Sequence, residues 1–206
     1  MCIIAIKPAD SKIAISKIFN MWVNNPHGAG IMFAQDGELK VVKGLMDLGA
    51  FLDAYNEHKD KKLVIHFRWR THGPVLGKLT HPFWINGDVA MVHNGIIPGI
   101  KTPKGESDTS MYIRTLQRRY SDPMKALRKE GTRKFILREI GLSKLVFMNA
   151  NGTIQMLNGQ TGHFSDEDGC WYSNHSYTDS ANYDKLYGDL DYNPKFWQHS
   201  TDLITL

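Results

Sequence analysis

Two short turns constrain the fold of this chain more than any other feature. Asp36-Gly37 lies between the apolar-rich runs Ile31 to Ala34 and Leu39 to Val42. Asn151-Gly152 lies between Leu145 to Ala150 and Thr153 to Leu157. Asp-Gly or Asn-Gly between two such runs is the strongest short-range hairpin signal, so each set reads as a pair of antiparallel strands. Further short strands are expected over residues 2–7, Leu63 to Phe67 and Val89 to Val92, with a buried one at Gly169-Cys170-Trp171-Tyr172. Helical spacing places Ile13, Ile15, Ile18, Phe19 and Trp22 on one face of a segment from Lys12 to Val23, ended by Asn24-Asn25-Pro26. Leu45 to His58 reads as a second amphipathic helix. Ser107 or Asp108 caps a third that runs to Tyr120, and Asp122-Pro123 opens another. Strands in small groups, separated by helices and hairpins, favour a mixed sheet with helices packed on it. That is an α+β fold rather than alternating βαβ units.

Length suits a single domain, 1–206, with room for a real core. No repeat or linker interrupts it. Hydrophobic residues at 42% and charged ones at 22% are ordinary for a soluble globular protein. No apolar run is long enough to span a membrane, and Lys7 and Asp10 break up the only N-terminal apolar stretch, so no signal peptide is expected. Two distant cysteines form no disulfide framework, and a cytoplasmic protein is expected. In that setting the glycosylation patterns at Asn151-Gly152-Thr153 and Asn174-His175-Ser176 go unused. The net charge is +4, and much of the basic surplus lies between Arg114 and Arg138, which reads as a solvated helix face or, alternatively, as a docking face for nucleic acid or an acidic partner. No helix-turn-helix, zinc finger or stacking motif accompanies it, so nucleic acid is not an expected partner. From Ser173 the chain is rich in Tyr, Asn and Asp, with Phe196 and Trp197 near its end; it reads either as a surface wrap with aromatic anchors or as a partly mobile tail.

The chemistry begins at Cys2. If Met1 is removed, one residue carries both a thiol and a free α-amine. The amine's reference pKa of about 7.7–8.0 lets it take a proton near neutral pH, and the thiol is already a good nucleophile. A buried, inert cysteine is the plain alternative. Three further segments bear on the choice. His66-Phe67-Arg68-Trp69-Arg70-Thr71-His72-Gly73 follows a strand directly: Arg68 offers a two-pronged clamp for a carboxylate, with Thr71 and His72 as hydrogen-bonding groups beside it. At the end of another strand, Asn94 and the Gly95 N–H could bind a developing oxyanion, although Asn-Gly also makes ordinary turns. Asp108 is either a helix cap or a carboxylate for a substrate ammonium. A thiol, an oxyanion site and clamps for a carboxylate and an ammonium describe a site for an amino acid whose side-chain carbonyl is attacked. His66, His72, His81 and His93 lack the i, i+4 spacing of a helical zinc motif, so no metal is expected.

These segments resemble class II glutamine amidotransferase domains of the N-terminal nucleophile hydrolase superfamily. Cys2 matches the family's catalytic first residue. Asn25-Pro26-His27-Gly28-Ala29-Gly30-Ile31 resembles its Gly-rich loop, His66 to Gly73 its His-Thr-Arg-Trp-Ala-Thr-His-Gly motif, and His81-Pro82 its His-Pro element. His93-Asn94-Gly95-Ile96-Ile97 resembles its oxyanion motif and Ser107-Asp108-Thr109 its Thr-Asp-Thr-Glu. The motif-bearing part is 2–115; the rest is divergent. The resemblance implies a four-layer αββα sandwich of the N-terminal nucleophile hydrolase type. It implies that Cys2 attacks the side-chain amide of glutamine to give glutamate and ammonia through a γ-glutamyl thioester. Asn94 and Gly95 would hold the oxyanion, Arg68 the α-carboxylate and Asp108 the α-ammonium, with Trp69, Thr71 and His72 completing the pocket and no cofactor. Ammonia would pass to a separate acceptor enzyme or be released. The alternatives are a stand-alone amidohydrolase acting on another γ-glutamyl amide and a catalytically inactive binding module of the same fold. Three residues depart from the family pattern: Arg70 between Trp and Thr, Ser110 after Asp-Thr, and His27 where Asp is common.

Overall fold

The structure is a computed structural model that describes residues 1–179, so the reading of the aromatic-rich tail beyond Asp179 lies outside the described residues. Ten strands and five α-helices follow one another as β1 (Ile3–Lys7), α1 (Ile15–Asn24), β2 (Ala29–Gln35), β3 (Glu38–Leu45), α2 (Leu48–His58), β4 (Leu63–Phe67), β5 (Phe83–Trp84), β6 (Val89–Asn94), α3 (Asp108–Arg119), α4 (Pro123–Ala126), α5 (Glu130–Ile140), β7 (Lys144–Asn149), β8 (Ile154–Leu157), β9 (His163–Phe164) and β10 (Trp171–Tyr172). They form two sheets, a six-stranded one in the order β3-β2-β4-β1-β10-β9 and a four-stranded one in the order β5-β6-β7-β8. Every pairing is antiparallel, which corrects the mixed strand directions expected from the residue pattern. Hydrophobic periodicity reports which residues are buried; it carries no information about strand direction.

Side chains on a strand alternate between faces, and here that alternation builds four layers. In β1, β2 and β4, Ile3, Ala5, Ile31, Phe33, Ile65 and Phe67 point outward against Ile18, Met21 and Trp22 of α1 and Phe51 and Tyr55 of α2. The alternate residues Ile4, Met32 and Val64 point inward and meet Ala90, Val92, Val146 and Met148 of the second sheet. The other face of that sheet, through Met91, Leu145 and Phe147, packs on Tyr112, Ile113 and Leu116 of α3 and Ile136 and Ile140 of α5. The result is the α+β, four-layer αββα sandwich. The fully buried Ile, Val, Leu, Met and Phe side chains among them contribute roughly 1.5–3 kcal/mol apiece by leaving water.

Three helix starts have local causes, and of these only that of α2 departs from its expected place. Leu45 ends β3, and α2 starts at Leu48 because Asp47 accepts the Ala50 N–H at 2.8 Å. At α3 the cap is Ser107, which exchanges hydrogen bonds with Ser110. Asp122 caps a helix of only four residues, and the basic stretch continues as the separate helix α5. Among the described residues no helix is long and apolar enough to cross a membrane.

Candidate active site

The site forms where strands of both sheets end together. β1 and β4 pair with Ile3 opposite Phe67, so the residue before β1 lies beside the residues after β4. Cys2 Sγ accepts a hydrogen bond from the Trp69 N–H at 3.3 Å and lies 3.4 Å from Trp69 O. Across the sandwich, β6 ends at Asn94, whose side-chain amide donates to the Cys2 carbonyl oxygen. The start of α3 completes the enclosure. A small cleft opens here, lined by Cys2, Arg68, Trp69, Thr71, His72, His81, His93, Gly95, Ser107, Asp108 and Thr109. Thus Cys2, Gly95, Arg68, Trp69, Thr71, His72 and Asp108, singled out in the sequence, share one cleft, while Asn94 stands behind the Cys2 backbone.

Arg68 is 4% exposed, and its Nη1 and Nη2 donate to the carbonyls of Pro74 and His72, each at 3.0 Å. These bonds fold the 69–76 loop back over the guanidinium. Gly73, at φ +74°, holds the loop against the segment before α3; a Cβ there would sit 2.4 Å from the Glu106 carbonyl oxygen. Thr71 and His72 are exposed on the rim. Asp108, the first residue of α3, is 6% exposed; its Oδ2 accepts the Ile97 N–H at 2.9 Å and its Oδ1 the Thr109 N–H at 2.8 Å. A fixed cation and a fixed carboxylate therefore flank the thiol, a charge pattern complementary to an amino-acid zwitterion. Gly95 has φ +141°, and Ser143 packs so close that a Cβ would meet its Oγ at 2.3 Å.

Burial pushes the Cys2 thiol up, while the Trp69 N–H, the chain's N-terminal ammonium and the Arg68 guanidinium pull it down. The His27 ring lies tilted against Trp69, with centroids 5.2 Å apart and an interplanar angle of 55°, and its Nδ1 accepts the Arg70 N–H at 2.9 Å. Burial, then Arg68 and Arg70, keep its pKa below the ordinary histidine value, as befits an acceptor ring.

Three histidines without an expected role cluster at the cleft, His81 and His93 in its lining and His66 packed against them. His66 and His81 lie with centroids 4.0 Å apart, His66 Nε2 pairs with His93 O at 3.0 Å, and His93 N–H donates to His81 Nδ1 at 3.3 Å. His93 Nδ1 lies 2.8 Å from Thr109 Oγ1. Burial lowers His66 to about 3 and His93 to about 4, with Asp108 opposing it at His93, and drives His81 well down. All three are neutral rings. Among the described residues no cluster of three or more His, Cys, Asp or Glu could hold a metal ion. Ser173 and Asn174, outside the expected site residues, also reach it: Ser173 Oγ accepts from Asn94 Nδ2 at 2.7 Å and Asn174 Nδ2 donates to Cys2 O at 2.7 Å. Besides the glycosylation pattern at Asn174-His175-Ser176, the sequence signal there is a polar pair following a buried strand.

No family model matches the chain. Over 81 residues, 38% of the chain, it is 42% identical to the glutamine–fructose-6-phosphate aminotransferase (isomerizing) of Zymomonas mobilis subsp. mobilis. Over 63 residues it is 40% identical to the enzyme of the same name from Buchnera aphidicola subsp. Baizongia pistaciae. These stretches cover 13% and 10% of the two relatives, so the chain spans only a small part of their length. Among solved structures it is similar to the glutamine phosphoribosylpyrophosphate amidotransferase of B. subtilis, complexed with ADP and GMP, with a TM-score of 0.49 and 18% identity over 84% of this chain and 41% of that one.

Proposed function

We propose that this chain carries out the glutaminase half-reaction of a class II glutamine amidotransferase. The observation that carries the reading is the cleft itself, which gathers a thiol, a guanidinium, a carboxylate and a glycine N–H around one small volume. The local identity to two glutamine-named aminotransferases supports the choice of substrate.

After removal of Met1, the α-amine of Cys2 takes the thiol proton and Sγ attacks the side-chain carbonyl carbon of glutamine. Arg68 holds the α-carboxylate and Asp108 the α-ammonium. Trp69, Thr71 and His72 close the pocket around them. Negative charge develops on the former amide oxygen, where Asn94 Nδ2 and the Gly95 N–H donate to it. The C–N bond breaks, the proton held by the α-amine leaves with the nitrogen, and ammonia departs. Water then attacks the γ-glutamyl thioester, giving glutamate and restoring the thiol. The balance is glutamine plus water to glutamate plus ammonia, with no cofactor. Ammonia is passed on to a separate acceptor enzyme; addition of that enzyme should stimulate glutamate release, and the absence of any stimulation would count against this half of the reading.

A second reading, hydrolysis of another γ-glutamyl amide, is favoured by one observation. Arg70 is exposed and lies in sequence between Trp69 and Thr71, which line the cleft, so it adds a cation that an anionic substituent on the amide nitrogen would favour. Faster turnover of γ-glutamyl amides with anionic substituents than of glutamine would select it.

The test is intact mass before and after treatment with a diazoketone analogue of glutamine, with glutamate release assayed on the same sample. Loss of Met1, a single adduct at Cys2 and inhibited turnover are expected. A protein with Met1 removed that neither labels nor releases glutamate would overturn the reading and leave a binding module of the same fold.

A further inference from the structure

Two side-chain amides converge on the Cys2 carbonyl oxygen, one from Asn94 and one, at 2.7 Å, from Asn174. Asn94 Nδ2 also donates to Ser173 Oγ at 2.7 Å. Both hydrogens of its amide are therefore committed, and an N–H reaches an oxyanion only when one of these contacts is released. Releasing the contact to Cys2 would ordinarily strand a part-buried carbonyl. Asn174 removes that difficulty because it donates to the same oxygen. Its own orientation is fixed from the other side, where Asn174 Oδ1 accepts the Ser176 N–H at 3.0 Å and the Ser176 hydroxyl at 2.8 Å. The segment is also tied to the strand that carries the nucleophile: Ser173 N–H donates to Ile4 O at 2.9 Å, and Ile4 N–H donates to Ser173 Oγ at 2.9 Å.

We propose that Asn174 is a positioning residue for the nucleophile, holding the Cys2 carbonyl so that Asn94 can turn an N–H from it to the oxyanion. The inference rests on the glutaminase reading above. Asn174 touches neither substrate nor the reacting atoms. It acts through Cys2 and Asn94, and its effect falls on the transition state rather than on glutamine binding.

Two variants separate this role from a structural one. Asn174→Asp keeps an acceptor for Ser176 but has no N–H for Cys2. Asn174→Ala loses both. Steady-state glutamate release by the processed full-length protein should show kcat lowered on the order of 10- to 100-fold in both variants, with KM little changed. Cys170→Ala serves as the control at the wild-type rate. If Asn174→Asp turns over like wild type, the residue serves only its turn and the proposal is overturned. A rise in KM at unchanged kcat would overturn it too, since that is a binding effect. Should Asn174→Ala fail to fold, Asn174→Asp still decides. A wild-type protein with no glutaminase activity would instead sink the functional reading and the positioning role with it, whereas an active wild type with an unaffected Asn174→Asp sinks the positioning role alone.

Discussion

Cys2 and Cys170 sit at opposite ends of the same pair of strands and live in opposite chemistry. Cys2 leads into β1 and Cys170 into β10, and the strands run antiparallel with Ala5 opposite Tyr172. Burial pushes both thiols up. At Cys2 that push is opposed by a backbone N–H, an ammonium and a guanidinium, and the sulfur lines a cleft. At Cys170 the Asp168 carboxylate adds to it, raising the thiol to about 12, and the side chain is sealed in the core with Tyr172. One side chain type thus becomes a candidate nucleophile or an inert core group according to neighbouring charge and access.

The comparison breaks most sharply if the wrong thiol matters. Cys2→Ala is expected to abolish glutamate release; retained turnover would mean that Cys2 is not the nucleophile. Next in size, Asn94→Ala should lower kcat on the order of 10²–10³-fold, the usual cost of one lost oxyanion donor. A change confined to KM would instead assign Asn94 to binding.

Much of the Cys2 end is legible in the sequence because its residues sit at places that short patterns mark. Arg68 to Gly73 directly follow a strand, Gly95 follows another, and Asp108 stands beside a helix cap. The two-sheet stacking is not legible from periodicity, because β1 and β4 are buried on both faces and read as continuous apolar runs; only the family resemblance supplied it. Asn174 is illegible for a different reason. Its contact with Cys2 spans 172 residues and exists only because β10 pairs with β1 in one register. Helix α5 has no side-chain cap at Lys129, and Gly131 and Thr132 are weak helix formers, so packing against β7 decides it rather than local signal.

Acid should separate the two ends. The unfolded chain's histidines titrate near pH 6.5, whereas burial holds His66 at about 3 and His93 at about 4 in the folded protein. Between those values the unfolded state binds protons that the folded state refuses. Stability is therefore full above about pH 6.5 and falls as pH drops, by up to about 1.4 kcal/mol per ring per pH unit. At the other end, burial alone would raise Asp168, but Lys17, the Cys170 N–H and the Tyr172 hydroxyl outweigh it and hold the carboxyl below its ordinary value. Its contribution persists down to about pH 3.9 and is lost only below that. Urea midpoints measured against pH should start to fall below about pH 6.5. A curve flat to about pH 4.5 would show that protons reach the three rings without unfolding.

The smallest expected effect is the control on which the comparison depends. Cys170→Ala removes a sulfur from a fully buried site, next to Asp168, which already has Lys17 and Tyr172 as partners. The change leaves a small void and no stranded polar group, so stability should drop by about 1 kcal/mol while glutamate release stays at the wild-type rate. Rising pH should increase iodoacetamide labelling at Cys2 well before Cys170, whose thiol stays protonated to about 12 and has no route to solvent. Mass mapping of the adducts reads this directly. Equal labelling of the two cysteines in folded protein would mean that burial and charge do not distinguish them, and the assignment of Cys2 as nucleophile would lose its physical basis.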